Sequence, residues 1–275
     1  VLTPPNARAE IVARAVAAGK PVLLEKPVER TTAAAEAIVV AAERAGVPLG
    51  VVFQHRFRAA SQRLAEICRS GALGPLRAAQ VTVPWWRPQS YYDVAGRGSY
   101  ARDGGGVLIS QAIHTLDLMQ VFTGPVARVQ ALAATTGLHR MEAEDFVAGG
   151  LEFANGAVGA LTATTASFPG AAEAIVLDFD RAAVRLQSGQ LTVCDHDGTV
   201  ETFGEAATTG GGADPMAFTH AWHAAALRDF LEAVRDRRPP AVTGRAALAT
   251  HRLIDALVRS AREGRRVAVA GETAP

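Results

Sequence analysis

Cysteine is nearly absent: the 275 residues contain two, Cys68 and Cys194, far apart in the chain. That is too few for a disulfide-stapled scaffold, and the spacing is not that of a metal site. No metal is expected, and a reducing cytoplasm is the compartment that fits. An excess of charge of one sign is missing too, with 28 Lys and Arg against 27 Asp and Glu and a formal net charge of +1. The basic residues are scattered, so the sequence lacks the electrostatic footprint of a nucleic-acid binder or of a protein held on an anionic membrane. No apolar run approaches the ~20 residues that cross a bilayer. The N-terminus has no basic segment, apolar stretch and small-residue cleavage site in the order of a secretory leader. Internal repeats and low-complexity tracts are not evident.

What is present is a 49% apolar, alanine-rich chain, enough for the core of one large domain or two modest ones. The first fifty residues alternate strand and helix. Val1-Leu2-Thr3 reads as the end of a strand broken by Pro4-Pro5. Asn6 is placed to cap a helix whose Ile11, Val12, Ala15 and Val16 share a side. Val22-Leu23-Leu24 is short and wholly apolar, as suits a central parallel strand. Thr31 or Thr32 opens a second helix to Ala45, and a third strand runs from Val47 to Phe53. This is half of a doubly wound dinucleotide fold. Starting inside a strand, the chain is expected to have lost upstream sequence.

Beyond Gln54 the rhythm changes. A helix is expected near Ser61–Ser70, a strand through Val81 and Val83, and an irregular polar and aromatic stretch from Trp85 to Asp103. A helix follows over Val107–Phe122, and then strand after strand from Val126 to Phe203. Asn155-Gly156 suits a type I′ turn, with Ser188-Gly189 and Asp197-Gly198 as further turns. A glycine-rich loop at Gly210–Gly212 leads to a helix near Phe218–Arg235. After Pro239-Pro240 comes a last helix ending near Arg262, and Val267–Val269 can add a strand. The expected fold class is α/β plus α+β. Residues 1–53 form the C-terminal half of a Rossmann domain, and residues 54–275 an α/β substrate-binding and oligomerisation domain with a large, mostly antiparallel, open-faced sheet.

Several segments carry a resemblance. Thr3-Pro4-Pro5-Asn6 is followed, one helix later, by a strand ending in Glu25-Lys26-Pro27. Asp103-Gly104-Gly105-Gly106 leads into Val107-Leu108-Ile109-Ser110-Gln111-Ala112-Ile113-His114-Thr115-Leu116-Asp117. Gln54-His55-Arg56-Phe57, the block from Trp86-Arg87-Pro88-Gln89 to Tyr91-Tyr92, and the tail Arg259-Ser260-Ala261-Arg262-Glu263-Gly264 keep the same order. Together they resemble the Gfo/Idh/MocA family of NAD(P)-dependent sugar and cyclitol dehydrogenases. The resemblance implies a catalytic pair, Lys26 and His114. It also implies that Thr3, Pro4, Asn6, Glu25, Lys26 and Pro27 line the nicotinamide end of NAD or NADP. The family's G-x-G-x-x-G phosphate loop does not precede Val1, and Gly104-Gly105-Gly106 cannot stand in for it.

The residue chemistry agrees with that pair. Lys26 leaves a parallel strand at its carboxyl end, where open α/β folds bind ligands, and Pro27 biases it away from helical geometry. Its ammonium can hydrogen-bond a hydroxyl that is becoming a carbonyl. On spacing alone it is a solvated lysine at a strand end. Ser110, His114 and Asp117 fall four and three residues apart, along one helix face, and imidazole titrates near neutrality. Asp117 can orient the histidine or serve the structure. Relatives usually carry Asp or Asn where this chain has Ser110; Gln111 can compensate. Arg56, Arg87, Gln89 and Tyr91 or Tyr92 are candidates to grip a polyhydroxylated ring. Trp85 and Trp86 are assigned to packing, and Glu142, Glu144 and Asp145 to a solvated strand entrance without His or Cys partners. His220 and His223 show no constellation.

The leading expectation is an oxidoreductase moving a hydride between NAD(P) and a ring carbon of a sugar, cyclitol or related diol. An NAD-assisted glycosidase or lyase is the alternative within the family. A cofactor-free remnant acting as a binding or dimerisation module is the non-enzymatic one. Relatives pair through the sheet, so a homodimer or homotetramer is expected.

Overall fold

The computed structural model describes residues 1–207 and 219–271. In the N-terminal segment, β1 (Val22–Glu25) and β2 (Leu49–Val52) pair in parallel from Val22 with Leu49 to Glu25 with Val52. The first residues run along the other edge of β1. The Val1 amine donates to the Leu23 carbonyl over 2.7 Å, and the Glu25 amide donates to the Val1 carbonyl over 3.0 Å. Helices α1 (Arg8–Ala17) and α2 (Thr32–Arg44) flank the pair. Val12 and Val16 give α1 its buried side; Ala35, Ile38, Val39 and Ala42 give α2 its own. Thr31 caps α2, its hydroxyl accepting from the Ala34 amide. Asn6 caps nothing: it sits inside a 3₁₀ turn, Pro5–Ala7, and Ala7 precedes α1.

The rest of the chain builds a nine-stranded sheet. Its strands are β3 (Leu76–Pro84), β4 (Val126–Ala134), β5 (Phe146–Phe153), β6 (Val158–Thr164), β7 (Ala174–Phe179), β8 (Ala182–Gln187), β9 (Gln190–Asp195), β10 (Val200–Phe203) and β11 (Val267–Ala268). They lie in the order β10-β9-β8-β7-β3-β6-β5-β4-β11, with only β3 and β6 parallel. Alternate residues such as Val81, Leu161, Leu177 and Val184 face α3 (Ala59–Ser70), α5 (Ile113–Thr123) and α7 (Gly244–Glu263) and form the core. The opposite face carries the row Thr82, Thr162, Ala148 and Leu132 across four registered strands, and Leu132 is 60% exposed. A short helix, α4 (Gln89–Tyr92), interrupts the loop after β3, and α6 (Ala221–Asp236) packs on β2. There Gly50 is required, because a Cβ would lie 2.6 Å from the Phe230 ring.

The turns differ in kind. Ser188 and Gly189 both have positive φ, 52° and 79°, as a type I′ turn demands. At Asn155-Gly156 only the glycine does, at 88°, so the expected type I′ turn is a type I turn closed by a glycine bulge. The Gly156 amide donates to the Phe153 carbonyl, and the Asn155 side chain accepts from the Ala157 amide. The helix expected over Val107–Phe122 divides into a π-helical turn, Leu108–Ala112, and α5. The Gly210–Gly212 loop and Phe218 lie outside the described residues. Among the described residues no helix is long and apolar enough to cross a membrane.

Candidate active site

The carboxyl end of β1 opens into a cleft of about 520 Å³ lined by Thr3, Pro4, Glu25, Lys26 and Pro27 on one side and by Tyr91, Arg97, Arg102 and Ser110 on the other. Arg8 builds the first wall. Its guanidinium is buried and donates to the backbone carbonyls of Thr3, Glu25, Lys26 and Pro27, tying the chain start to the strand exit. Burial pulls its pKa down to about 10, against the attraction of Glu25 and Glu29. The Lys26-Pro27 peptide is cis, and the following amide, Val28, donates to the buried His251 Nε2 over 3.2 Å.

Lys26 reaches across the cleft. Its Nζ donates to the Ser110 carbonyl over 2.6 Å, and desolvation brings its pKa down to about 8, with Glu25 opposing. The acceptor belongs to the π-helical turn, a feature frequent at functional sites. Glu144 fixes that turn. Its carboxylate accepts from the Gly106 and Leu108 amides, each over 3.2 Å, and its carbonyl accepts from Val107. Gly106 is obligatory here, since a Cβ would fall 1.8 Å from the Glu144 carbonyl oxygen. Burial raises the Glu144 carboxyl above its ordinary value, with the backbone hydrogen bonds working against it.

His114 is buried one turn further on, its ring stacked on His55 at 4.9 Å and meeting the edge of Phe53 at 5.9 Å. Desolvation first, then the charges of Lys26, Arg58 and His223, push its pKa well below the ordinary value, so the imidazole is neutral at pH 7. Its Nδ1 is buried without a hydrogen-bond partner among the described residues. His55 is held in turn beside a buried cluster in which Arg58 donates to Glu173 over 2.7 Å and Trp85 Nε1 donates to the other oxygen over 3.3 Å.

The remaining expected site residues separate. Asp117 does not orient His114: it accepts two hydrogen bonds from Arg56, at 2.6 and 2.7 Å, and one from Thr250. Arg56 and Asp117 therefore form a largely buried ion pair away from the cleft, and the π-helical turn breaks the face that Asp117 was expected to share with Ser110 and His114. Gln89 is engaged at the surface with Asp93 and the Arg140 backbone. Arg87 is buried, donates to the Trp86 carbonyl and lies over the Trp85 and Tyr91 rings. Gln111 is buried and donates to the Tyr91 hydroxyl over 3.3 Å. Asn6 is exposed and lines a different hollow, with Glu10 and Arg14.

Of the acidic cluster, Glu142 is exposed, but Glu144 and Asp145 are buried and not solvated. Glu144 caps the π-helical turn, and Asp145, fully buried, accepts from Thr136 and pairs with His139 Nδ1 at 2.7 Å. The other His139 nitrogen meets the Arg87 carbonyl at 2.8 Å. His223 lies 4.0 Å from Glu25. Arg8, Arg97 and Arg102 went unmarked in the sequence because no motif singles them out, and Glu144 stood out only as one of three clustered acids. Only His139 and Asp145, six residues apart, offered a pattern.

The cleft fits the nicotinamide end of a dinucleotide. It lies at the carboxyl edge of a parallel strand pair, and the Thr3 hydroxyl is buried on its wall without a hydrogen-bond partner among the described residues. No group of three or more His, Cys, Asp and Glu side chains among the described residues could hold a metal ion.

Residues 1–53 match the family model described as the oxidoreductase family NAD-binding Rossmann fold, and residues 61–192 match the GFO/IDH/MocA C-terminal domain. D-apiose dehydrogenase from Paraburkholderia graminis is 29% identical over 283 residues, covering 96% of this chain and 70% of that protein. 1,5-Anhydro-D-fructose reductase from Ensifer adhaerens is 32% identical over 145 residues, which are 52% of this chain and 43% of that protein. The crystal structure of the WlbA dehydrogenase from Bordetella pertussis in complex with NADH and UDP-GlcNAcA superposes with a TM-score of 0.82 at 28% identity, covering 98% of this chain and 78% of the other.

Proposed function

Starting from the fact that this chain belongs to the Gfo/Idh/MocA family of NAD-binding oxidoreductases, we propose that it moves a hydride between NAD(P) and a ring CH–OH of a sugar or related polyol. The observation that carries this reading is Lys26, set in the cleft at the carboxyl end of β1 and bonded to Ser110, with the buried, neutral His114 one turn beyond that serine and close enough for the lysine charge to lower its pKa. Sugar chemistry is suggested by the relatives, an apiose dehydrogenase and an anhydrofructose reductase.

The bound cofactor supplies the hydride acceptor. Thr3, Pro4, Glu25, Lys26 and Pro27 would hold its nicotinamide end, without Asn6, which lines a different hollow. Lys26 keeps one N–H on the Ser110 carbonyl and has others for the substrate oxygen. As the C–H electron pair leaves, that oxygen becomes a carbonyl, and the ammonium stabilises the charge it carries on the way. His114 accepts the hydroxyl proton; burial keeps its imidazole unprotonated and ready. Tyr91, Arg87 and Gln111 would line the sugar side, and Ser110 acts there mainly through its backbone. Residues 1–53 would serve the cofactor, and residues 54–275 the substrate and self-association.

Self-association would use the open sheet face that carries Leu132 and Val158, giving a homodimer or homotetramer. A reducing cytoplasm suits the two free cysteines.

Formation of NAD(P)H with a panel of sugars and cyclitols, together with product analysis, tests the reading. Lys26→Ala and His114→Ala are each expected to lower kcat/KM on the order of 10²–10⁴-fold. Turnover that survives both substitutions removes the catalytic assignment. Cleaved sugar without net cofactor reduction would make the enzyme a lyase or glycosidase instead.

A further inference from the structure

Among the described residues, each charged side chain lining the cleft has a hydrogen-bonded or ion-pair partner except one. Arg8 is saturated by backbone carbonyls, Lys26 is bonded to Ser110, and Arg102 reaches the Ala95 carbonyl and Asp103. Asp103 accepts from the Gly98 amide, and Glu25 accepts from the Lys26 amide and faces His223. Arg97 is half-buried in the cleft wall, and among the described residues its guanidinium has neither a carboxylate nor a hydrogen-bond acceptor.

Its placement is fixed. The guanidinium lies 4.0 Å from the centre of the Tyr91 ring, and the Tyr91 hydroxyl is held by Gln111. Gly96 and Gly98, on either side, have φ of 78° and 67°. A Cβ on Gly98 would lie 2.7 Å from Met141, so the loop is wedged against its neighbours. A guanidinium stacked by its face on an aromatic ring keeps its in-plane N–H donors free, and that fork matches two oxygens of a carboxylate. A half-buried cation with no counter-ion is a costly arrangement until an anion arrives.

We propose that the substrate is a sugar acid whose carboxylate is bound by Arg97, which makes this arginine the specificity-determining residue of the cleft. The proposal rests on the hydride-transfer reading for the fate of the sugar but not for its binding.

Titration calorimetry of the chain with D-glucuronate, D-glucose and D-glucose 6-phosphate, with and without NAD, tests it in the wild type, R97Q and R97K. Glucuronate is expected to bind on the order of tenfold more tightly than glucose, with the preference weakening as salt rises. R97Q should abolish the preference and leave glucose affinity unchanged. R97K, which keeps the charge and loses the fork, should retain part of it. Equal affinities in the wild type, a preference that survives R97Q, or tightest binding of the phosphate would overturn the carboxylate assignment. So would R97Q weakening NAD while sparing glucuronate, which would give the arginine to the cofactor. Failure of hydride transfer shows up separately, as binding preference without any reduced cofactor.

Discussion

Lys26 and Ser110 are joined by a 2.6 Å hydrogen bond across 84 residues of sequence, and the acceptor is the Ser110 main-chain carbonyl. The side chain at position 110 can therefore change without releasing the lysine. What changes is charge. An aspartate there would favour the ammonium, whereas serine leaves Lys26 desolvated, with a pKa drawn down to about 8.

Oxidation is accordingly expected to fail on the alkaline side near pH 8, as Lys26 loses the proton it needs to polarise the substrate oxygen. The acid limb should lie well below pH 6.5, because the His114 pKa is depressed and the base stays unprotonated through neutrality. Ser110→Asp is expected to move the alkaline limb upward by about one unit. Ser110→Ala should leave it in place. The kcat/KM profile against pH checks all three, and an unchanged limb in S110D would detach it from Lys26.

Arg56 and Asp117 are expected to behave as structure and not as substrate ligands. Asp117→Ala strands a guanidinium that is mostly buried, and breaking such a pair costs on the order of 3–5 kcal/mol. Denaturant melts should show that loss, while the ranking of sugars by kcat/KM stays the same in whatever fraction folds. A changed ranking would return the pair to the substrate side.

The divide between what the sequence revealed and what it hid follows the range of each interaction. The β1 and β2 strands, α2 with its Thr31 cap and the Ser188-Gly189 turn are set by neighbours a few residues apart, and they were readable. Lys26 and His114 were picked out by motif resemblance, and their catalytic roles stand as a proposal. The partners of Asp117, His139 and Glu144 were not, because buried charges choose partners by tertiary geometry. Helical spacing placed Ser110, His114 and Asp117 on one face, but the π-helical turn at Leu108–Ala112 changes the period just where that count begins. Arg97 lacked any local pattern; only the cleft gives it a context.

Glu144 is expected to act on catalysis from a distance. Glu144→Ala leaves the Gly106 and Leu108 amides buried without acceptors, at about 1–3 kcal/mol each, and frees the turn that aims the Ser110 carbonyl at Lys26. Thermal melts should fall, and the alkaline limb should shift in the folded fraction; loss of stability with an unmoved limb would confine Glu144 to folding. Gly106→Ala should be more severe, because the new methyl collides with a backbone oxygen that has nowhere to go.

His251 links acid stability to the same strand exit. Its Nε2 must be unprotonated to accept from the Val28 amide, two residues after Lys26, and burial lowers its pKa from 6.5 to about 4. A depressed histidine pKa means that the unfolded chain takes up the proton first as pH falls. The contribution, roughly 3 kcal/mol, is therefore complete above about pH 6.5 and is lost progressively down to about pH 4. Unfolding free energies measured by urea titration across that window should slope accordingly in the wild type. His251→Gln keeps an acceptor for the Val28 amide but cannot titrate, so its slope should be flatter by one proton. An equal slope in the variant would place the acid sensitivity elsewhere.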